Sequence, residues 1–287
     1  MPDVHESYNA LRRLSASGAP SEQISDCLRA IYVESTTVLD GARDRELNTS
    51  ITGKDYFAFD IAGKRSRAVN VDLFRATSVE PDSVLRALER GEVTQIPADA
   101  INRAVYKMAM AFCAAIDLTR PNDRKTQGTY FEHVVAHLVA LRFGVPAVRN
   151  LDVLNLDMRA ELPTDLTFDL GRGKPKFHVP VKTSTRERVI QVWAHQRIID
   201  GVFGVGRFLG LLVCLAETHV AERTIHVQEI CLIDQWRIYQ LFIAQLKRVY
   251  YLDVPVAYSN LAAEFPRIHV KTFGEFFHEA DTLADDA

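Results

Sequence analysis

Residues 163–182 read PTDLTFDLGRGKPKFHVPVK, and this stretch decides the fold. Asp165–Leu170 and Lys176–Lys182 each place apolar residues at alternate positions, and Gly171-Arg172-Gly173-Lys174-Pro175 lies between them. A period of two is strand geometry, because successive side chains leave opposite faces. Glycine and proline in the connection favour a chain reversal. The pattern therefore predicts a β-hairpin. Leu166, Phe168, Phe177, Val179 and Val181 point to the core, while Asp165, Thr167 and Asp169 share a face with His178, Pro180 and Lys182. Asp165 opens the first arm and Lys182 closes the second, so a carboxylate and an ammonium come to adjacent strand ends.

Working outward, Thr129 to Phe143 is an amphipathic helix with Phe131, Val134, Val135, Leu138, Val139 and Leu141 inward and Gly144 past its end. Val145 to about Met158 is extended. Thr185 to Ile199 is helical, closed by Gly201 and Gly204, and Phe208 to Ala216 is apolar throughout, as a central strand would be. Thr224 to Ile233 reads as a further strand, and Asp234 caps a helix running to about Tyr250. The order is helix, three strands, helix, strand, which predicts an α/β fold with a mixed central sheet flanked by helices. Residues 1–118 read as mostly helical, with apolar spacing in Ile24, Cys27, Leu28, Ile31, Tyr32 and in Ile101, Val105, Met108, Ala109, Phe112, Ile116. The polar stretch LTRPNDRKTQG at 118–128 marks the expected boundary. Two regions follow: 1–118, helical, and 119–287, which holds the hairpin.

A carboxylate and a lysine at neighbouring strand ends make a hydrolytic pair: the acid holds a hard cation through oxygen, and the ammonium serves a water. With PTD (Pro163-Thr164-Asp165) opening one strand, PVK (Pro180-Val181-Lys182) closing the next and the order αβββαβ, the chain resembles the PD-(D/E)XK nuclease superfamily over roughly residues 128–218. The resemblance implies a type II restriction endonuclease that cuts double-stranded DNA with Mg2+, leaving 5′-phosphate and 3′-hydroxyl ends. It implies Asp165 as a metal ligand, Lys182 as the residue serving the attacking water, the Val181 carbonyl as a further ligand and Glu132, in GTYFEHVVAHL, as the helical acid. The sequence departs from the family at one point. Pro180 stands where the second acid belongs, so that acid must come from elsewhere: Glu132 first, then Glu187, then Asp169.

Lys182-Thr183-Ser184-Thr185-Arg186-Glu187-Arg188 passes from a strand end through hydroxyl residues into a helix start, and resembles the segment after the catalytic lysine in some restriction endonucleases. Ser184 or Thr185 can cap that helix. Ser184, Thr185, Arg186 and Arg188 are the expected phosphate contacts. A homodimer is expected, since palindromic DNA is matched by two-fold symmetry. The resemblance also implies a cognate DNA methyltransferase in the same system, not as a bound partner. Two other readings remain: a structure-selective repair or recombination nuclease, and a decayed DNA-binding protein of the same fold, which Pro180 favours. For Asp165 and Lys182 alone, the plain alternative is a solvated cross-strand ion pair.

The 287 residues carry a net charge of -3, so there is no overall basic footprint of the kind that sustains indiscriminate nucleic-acid binding. Cys27, Cys113, Cys214 and Cys231 are scattered, which argues against a disulfide framework or a structural zinc site. The longest apolar run, Phe208 to Ala216, falls short of the roughly 20 residues of a membrane helix, and a soluble, cytoplasmic protein is expected. His133 and His137 sit four apart but lack the glutamate of HEXXH, and read as metal-free surface or interface histidines. The glycines of GVFGVGRFLG precede a strand and do not fit a dinucleotide loop. Lys64, Arg65 and Arg67 read as a solvated basic loop, Trp193 as core, and His195 and Gln196 as facing DNA.

Overall fold

The computed structural model describes residues 4–76, 78–123, 125–153, 161–186, 189–221 and 225–285. In chain order, the first part holds α1 (Val4–Ser17), α2 (Ser21–Asp40), β1 (Arg43–Thr49), β2 (Tyr56–Ile61), β3 (Lys64–Arg65), β4 (Val69–Asn70), α3 (Val71–Arg75), α4 (Pro81–Glu89), α5 (Ala98–Thr119) and α6 (Thr126–Phe143). Next come β5 (Val148–Asp152), β6 (Glu161–Asp169), β7 (Lys176–His178), β8 (Val181–Lys182), α7 (Val189–Phe203) and β9 (Phe208–Cys214). The chain ends with β10 (Thr218–Ala221), β11 (His226–Glu229), α8 (Ile233–Phe242), β12 (Leu246–Tyr251), α9 (Val256–Ser259), α10 (Leu261–Glu264), β13 (Val270–Thr272) and α11 (Phe273–Asp285).

The chain forms two compact units. The first comprises Met1–Leu138 with Thr218–Ile230, and the second Val139–Glu217 with Cys231–Ala287. The polar stretch at 118–128 lies within the first unit, and the division falls inside α6. In the first unit α5 is apolar nearly all round, from Ala100 to Leu118, and is buried accordingly. The expected N-terminal helices are present, together with a sheet of order β10-β11-β1-β2-β3, with β4 on β2; β11 lies within the strand expected over Thr224 to Ile233, whereas periodicity did not reveal β1 to β4. Its strands give no alternating signal: β1 is polar and mostly exposed, while β2 is buried at four consecutive positions. Arg67, assigned to a solvated basic loop, instead donates to the Asp117 carboxylate at 2.7 and 3.0 Å, beside Gln127 at 3.1 Å. His133 and His137 are buried rather than superficial, and His137 Nε2 meets Ser25 Oγ at 2.8 Å.

The second unit is built on a mixed sheet of order β13-β12-β9-β7-β6-β5, with β8 also on β9. β6 runs antiparallel to β7, and β9 takes β7, β8 and β12 as parallel partners. Parallel neighbours on both sides explain why β9 reads as an unbroken apolar run. The single returning strand expected over 176–182 is two short strands. Its register on β9 is unchanged across the break (His178 against Gly210, Val181 against Val213). Pro180, which has no N–H to donate, sits between them. The helix expected from Asp234 to Tyr250 ends at Phe242, and β12 follows. Gln240 enforces the change: its Oε1 accepts from the Leu246 amide (3.1 Å) and Trp193 Nε1 (3.0 Å), and its Nε2 donates to the Leu246 carbonyl (2.9 Å). Among the described residues no helix is long and apolar enough to cross a membrane.

Candidate active site

The hairpin brings Asp165 and Lys182 to one face. Lys182 Nζ lies 2.6 Å from Asp165 Oδ2, and the Val181 amide donates to the same oxygen at 2.9 Å. Both side chains are about one-quarter exposed (25% each), so the pair is open to a ligand yet shielded from bulk water. The core-facing set is as alternation requires, with Leu166, Phe168, Phe177, Val179 and Val181 all buried.

β9 accounts for the orientation of Val181. Its Val213 and Leu215 amides donate to the Pro180 and Lys182 carbonyls, at 2.9 and 3.0 Å. In an extended strand the amide and carbonyl of one residue point the same way and alternate with their neighbours. The Val181 carbonyl therefore faces the Asp165 side with its amide. Asp165 Oδ1 accepts no hydrogen bond among the described residues. A free carboxylate oxygen and a backbone carbonyl suit a hard divalent ion that keeps several waters. No cluster of three or more His, Cys, Asp or Glu side chains fit to hold a metal occurs among the described residues.

The face behind the pair is covered, which sequence alternation alone did not indicate. Thr167 and His178 are both buried. His178 Nδ1 meets Gln196 Oε1 at 3.0 Å, and Gln196 Nε2 donates to Asp200 Oδ1 (2.9 Å) and the Phe208 carbonyl (3.0 Å). Two acceptors fix the amide nitrogen of Gln196, so its oxygen faces the histidine and Nδ1 carries the proton. His178 Nε2 then bears the lone pair, and it has no hydrogen-bond partner among the described residues. Burial pushes the His178 pKa down to about 4, so the ring is neutral near pH 7. His195 on α7 lies 6.5 Å from His178 between ring centroids, and its pKa is also lowered by burial. Gln196 was expected to face DNA; it is buried instead. Gly210 makes room for it, since a Cβ there would lie 2.7 Å from Gln196 Oε1.

The segment after Lys182 is pinned by a residue that sequence reasoning missed. Glu217, buried beyond the end of β9, accepts on Oε1 from the Thr185 amide (2.8 Å), Thr185 Oγ1 (2.6 Å) and the Tyr251 hydroxyl (2.8 Å). Burial raises the pKa of its carboxyl. The available signal was a lone acid closing the apolar run FLGLLVCLAE. Thr185 is thereby corrected: it is buried, and its amide and hydroxyl are both engaged inside the protein rather than offered to a phosphate. Ser184 and Arg186 remain partly exposed and lie together, with Arg186 Nε 3.4 Å from Ser184 Oγ. Arg188 and Glu187 lie outside the described residues.

Of the acids weighed against Pro180, Asp169 is remote. It sits four residues from Asp165 along β6, about 13 Å at a strand's rise of ~3.3 Å per residue. There Lys176 (2.7 Å) and the Gly171 amide (2.9 Å) hold its carboxyl below the usual range. Glu132 is half-buried on the part of α6 that belongs to the first unit.

Against known structures, the chain is similar to the type IIP restriction endonuclease Kpn2I, with a TM-score of 0.81 and 22% identity over 97% of this chain and 96% of that one. The fold is that of a type IIP restriction endonuclease. A complex of the restriction endonuclease PspGI with substrate DNA also aligns, at 15% identity over 68% of this chain and 81% of that one, with a TM-score of 0.42. No family model and no curated protein matches the sequence.

Proposed function

We propose that this protein is a Mg2+-dependent, sequence-specific endonuclease of double-stranded DNA, a type II restriction enzyme. The observation that carries the reading is the 2.6 Å approach of Lys182 to Asp165 at adjacent strand ends, within a fold shared with Kpn2I. Asp165 Oδ1 and the Val181 carbonyl would hold the cation. When bound, the ion supplies charge neutralisation at the phosphate and a more acidic water. Lys182 orients the attacking water and takes part in moving its proton, while Asp165 Oδ2 keeps the ammonium in place. Ser184 and Arg186 clasp the neighbouring phosphate, and Glu217 sets the turn at Thr185 beside them; Arg188 is a further proposed phosphate contact. A palindromic target implies two copies on the DNA and a cognate methyltransferase to protect the host's own sites.

The test is digestion of a plasmid of known sequence. Mg2+ should yield discrete fragments with 5′-phosphate ends, and EDTA should abolish them. Nicks confined to junctions or flaps would favour a repair nuclease. DNA retention without cleavage, unaffected by EDTA, would favour a decayed binding protein, the reading to which Pro180 lends weight.

A further inference from the structure

At the end of β9 away from Lys182, residues of α7, α8, β12 and the segment before β13 bound a cavity of about 660 Å³. Sites for small molecules commonly measure about 300–1,000 Å³. Gly210, in its wall, precedes Cys214, the strand partner of Lys182, by four residues, about 13 Å at a rise of ~3.3 Å per residue. The cavity is therefore separate from the Asp165–Lys182 pair. Four cations, Arg197, Lys247, Arg248 and Arg267, line it with His269, against one carboxylate, Asp200. The whole chain carries a net charge of -3, so this positive balance is local. Arg197 and Arg267 are exposed, and neither has a salt-bridge partner among the described residues. His269 senses the resulting field: burial, then Arg248, Lys271 and Lys247, lower its pKa, with Glu279 opposing them. Neither α7 nor α8 has a basic residue in its last turn, so these cations are not placed to neutralise helix ends.

The wall is also preorganised. Leu246 pairs with Gly210 and Arg248 with Leu211, so Lys247 is the extra residue of a β-bulge, a device that re-aims a side chain. Arg248 Nη1 donates to the Lys247 carbonyl at 2.9 Å. The buried Gln240 donates to the carbonyls of Leu246 (2.9 Å) and Arg267 (2.8 Å), which ties both cationic segments to α8. Beside the cations, Phe242 and Val205 are 80% and 81% exposed. A bare aromatic ring next to guanidinium groups suits both halves of one ligand. Every base has a face that stacks on a ring, and arginine meets phosphate through paired N–H groups.

We propose that this cavity binds a nucleotide, its phosphates against Arg197, Lys247 and Arg267 and its base on Phe242 and Val205. The nucleotide is free or belongs to a single strand, because bases inside a duplex are stacked on one another and are not offered to a protein ring. The site stands apart from the cleavage chemistry and needs no metal ion.

Equilibrium dialysis in EDTA, where cleavage is silent, tests this with four probes: ADP, pyrophosphate, single-stranded decathymidylate and its duplex with decaadenylate. The wild-type chain should bind ADP more tightly than pyrophosphate. Arg197→Ala with Arg267→Ala should weaken both by at least about 10-fold, the scale of charged hydrogen bonds to phosphate. Phe242→Ser should weaken ADP by about 5-fold or more and leave pyrophosphate within about two-fold, since only a base meets the ring. All three positions are exposed, so Tm should be unchanged. Lys182→Ala should bind ADP as the wild type does. Tighter binding of decathymidylate than of ADP would identify single-stranded DNA as the source, and the reverse a free nucleotide. The proposal is overturned by any of three results: no binding of ADP or decathymidylate at millimolar concentration, loss of ADP binding in Lys182→Ala, or equal binding of ADP by wild type and both cavity variants.

Discussion

β6 carries two aspartates on the same face, each paired to a lysine across the hairpin at nearly the same distance: Asp165 to Lys182 at 2.6 Å and Asp169 to Lys176 at 2.7 Å. By sequence and by ion-pair geometry the two are equivalent. Their surroundings differ. The Asp169 pair is 52% and 43% exposed beside the Gly171 turn, where water screens it and the pair contributes under about 1 kcal/mol. The Asp165 pair is half as exposed, takes the Val181 amide as well, and adjoins the His178–Gln196–Asp200 network under α7. A carboxylate becomes a useful ligand when its neighbours orient it and limit water, and that is a property of position in the sheet rather than of residue type.

The sharpest break between the pairs should be in cleavage. Asp165→Asn and Lys182→Ala are each expected to lower plasmid cleavage by at least about 10³-fold, the scale of losing a group that acts in the transition state. Folding, checked by circular dichroism, should persist. Wild-type activity in either variant would remove the hairpin from the mechanism.

A smaller effect should appear in acid. His178 has a folded pKa of about 4 against an ordinary value of 6.5, so its contribution to stability is present above pH 6.5 and is lost as pH falls toward 4. Buried His137 in the first unit behaves in the same way. Each shift corresponds to roughly 3 kcal/mol. Thermal melts between pH 7 and 4 should show a falling Tm, with a shallower slope in His178→Gln. An unchanged slope would mean that His178 is not held neutral.

The smallest effects belong to the outer pair. Asp169→Asn and Lys176→Ala should leave cleavage within about two-fold and stability within about 1 kcal/mol, by plasmid assay and urea melts. A large loss of activity at Asp169 would erase the distinction between the two ends of the hairpin.

Much of the second unit was legible in the chain. The 163–182 stretch determined the hairpin, its inward residues and the meeting of Asp165 with Lys182, because alternation and a glycine-proline turn act through local geometry. Phe208–Cys214 likewise announced a central strand by its unbroken apolar run. The β1–β4 sheet was invisible for the opposite reason: mostly polar β1 and β2, whose first four residues are all apolar and buried, lack the alternation that a half-buried strand shows.

Other features were decided only when distant segments packed. Residues 246–251 joined β9 as a strand instead of extending α8, because sheet pairing and the Gln240 bonds outweigh the helical pattern before them. Thr185 turned inward because Glu217, 32 residues later, accepts both its donors, and no local rule ranks that partner above a phosphate. Sequence alone sets which side of a strand a residue leaves; what then covers that side depends on contacts between remote residues, which local periodicity does not encode.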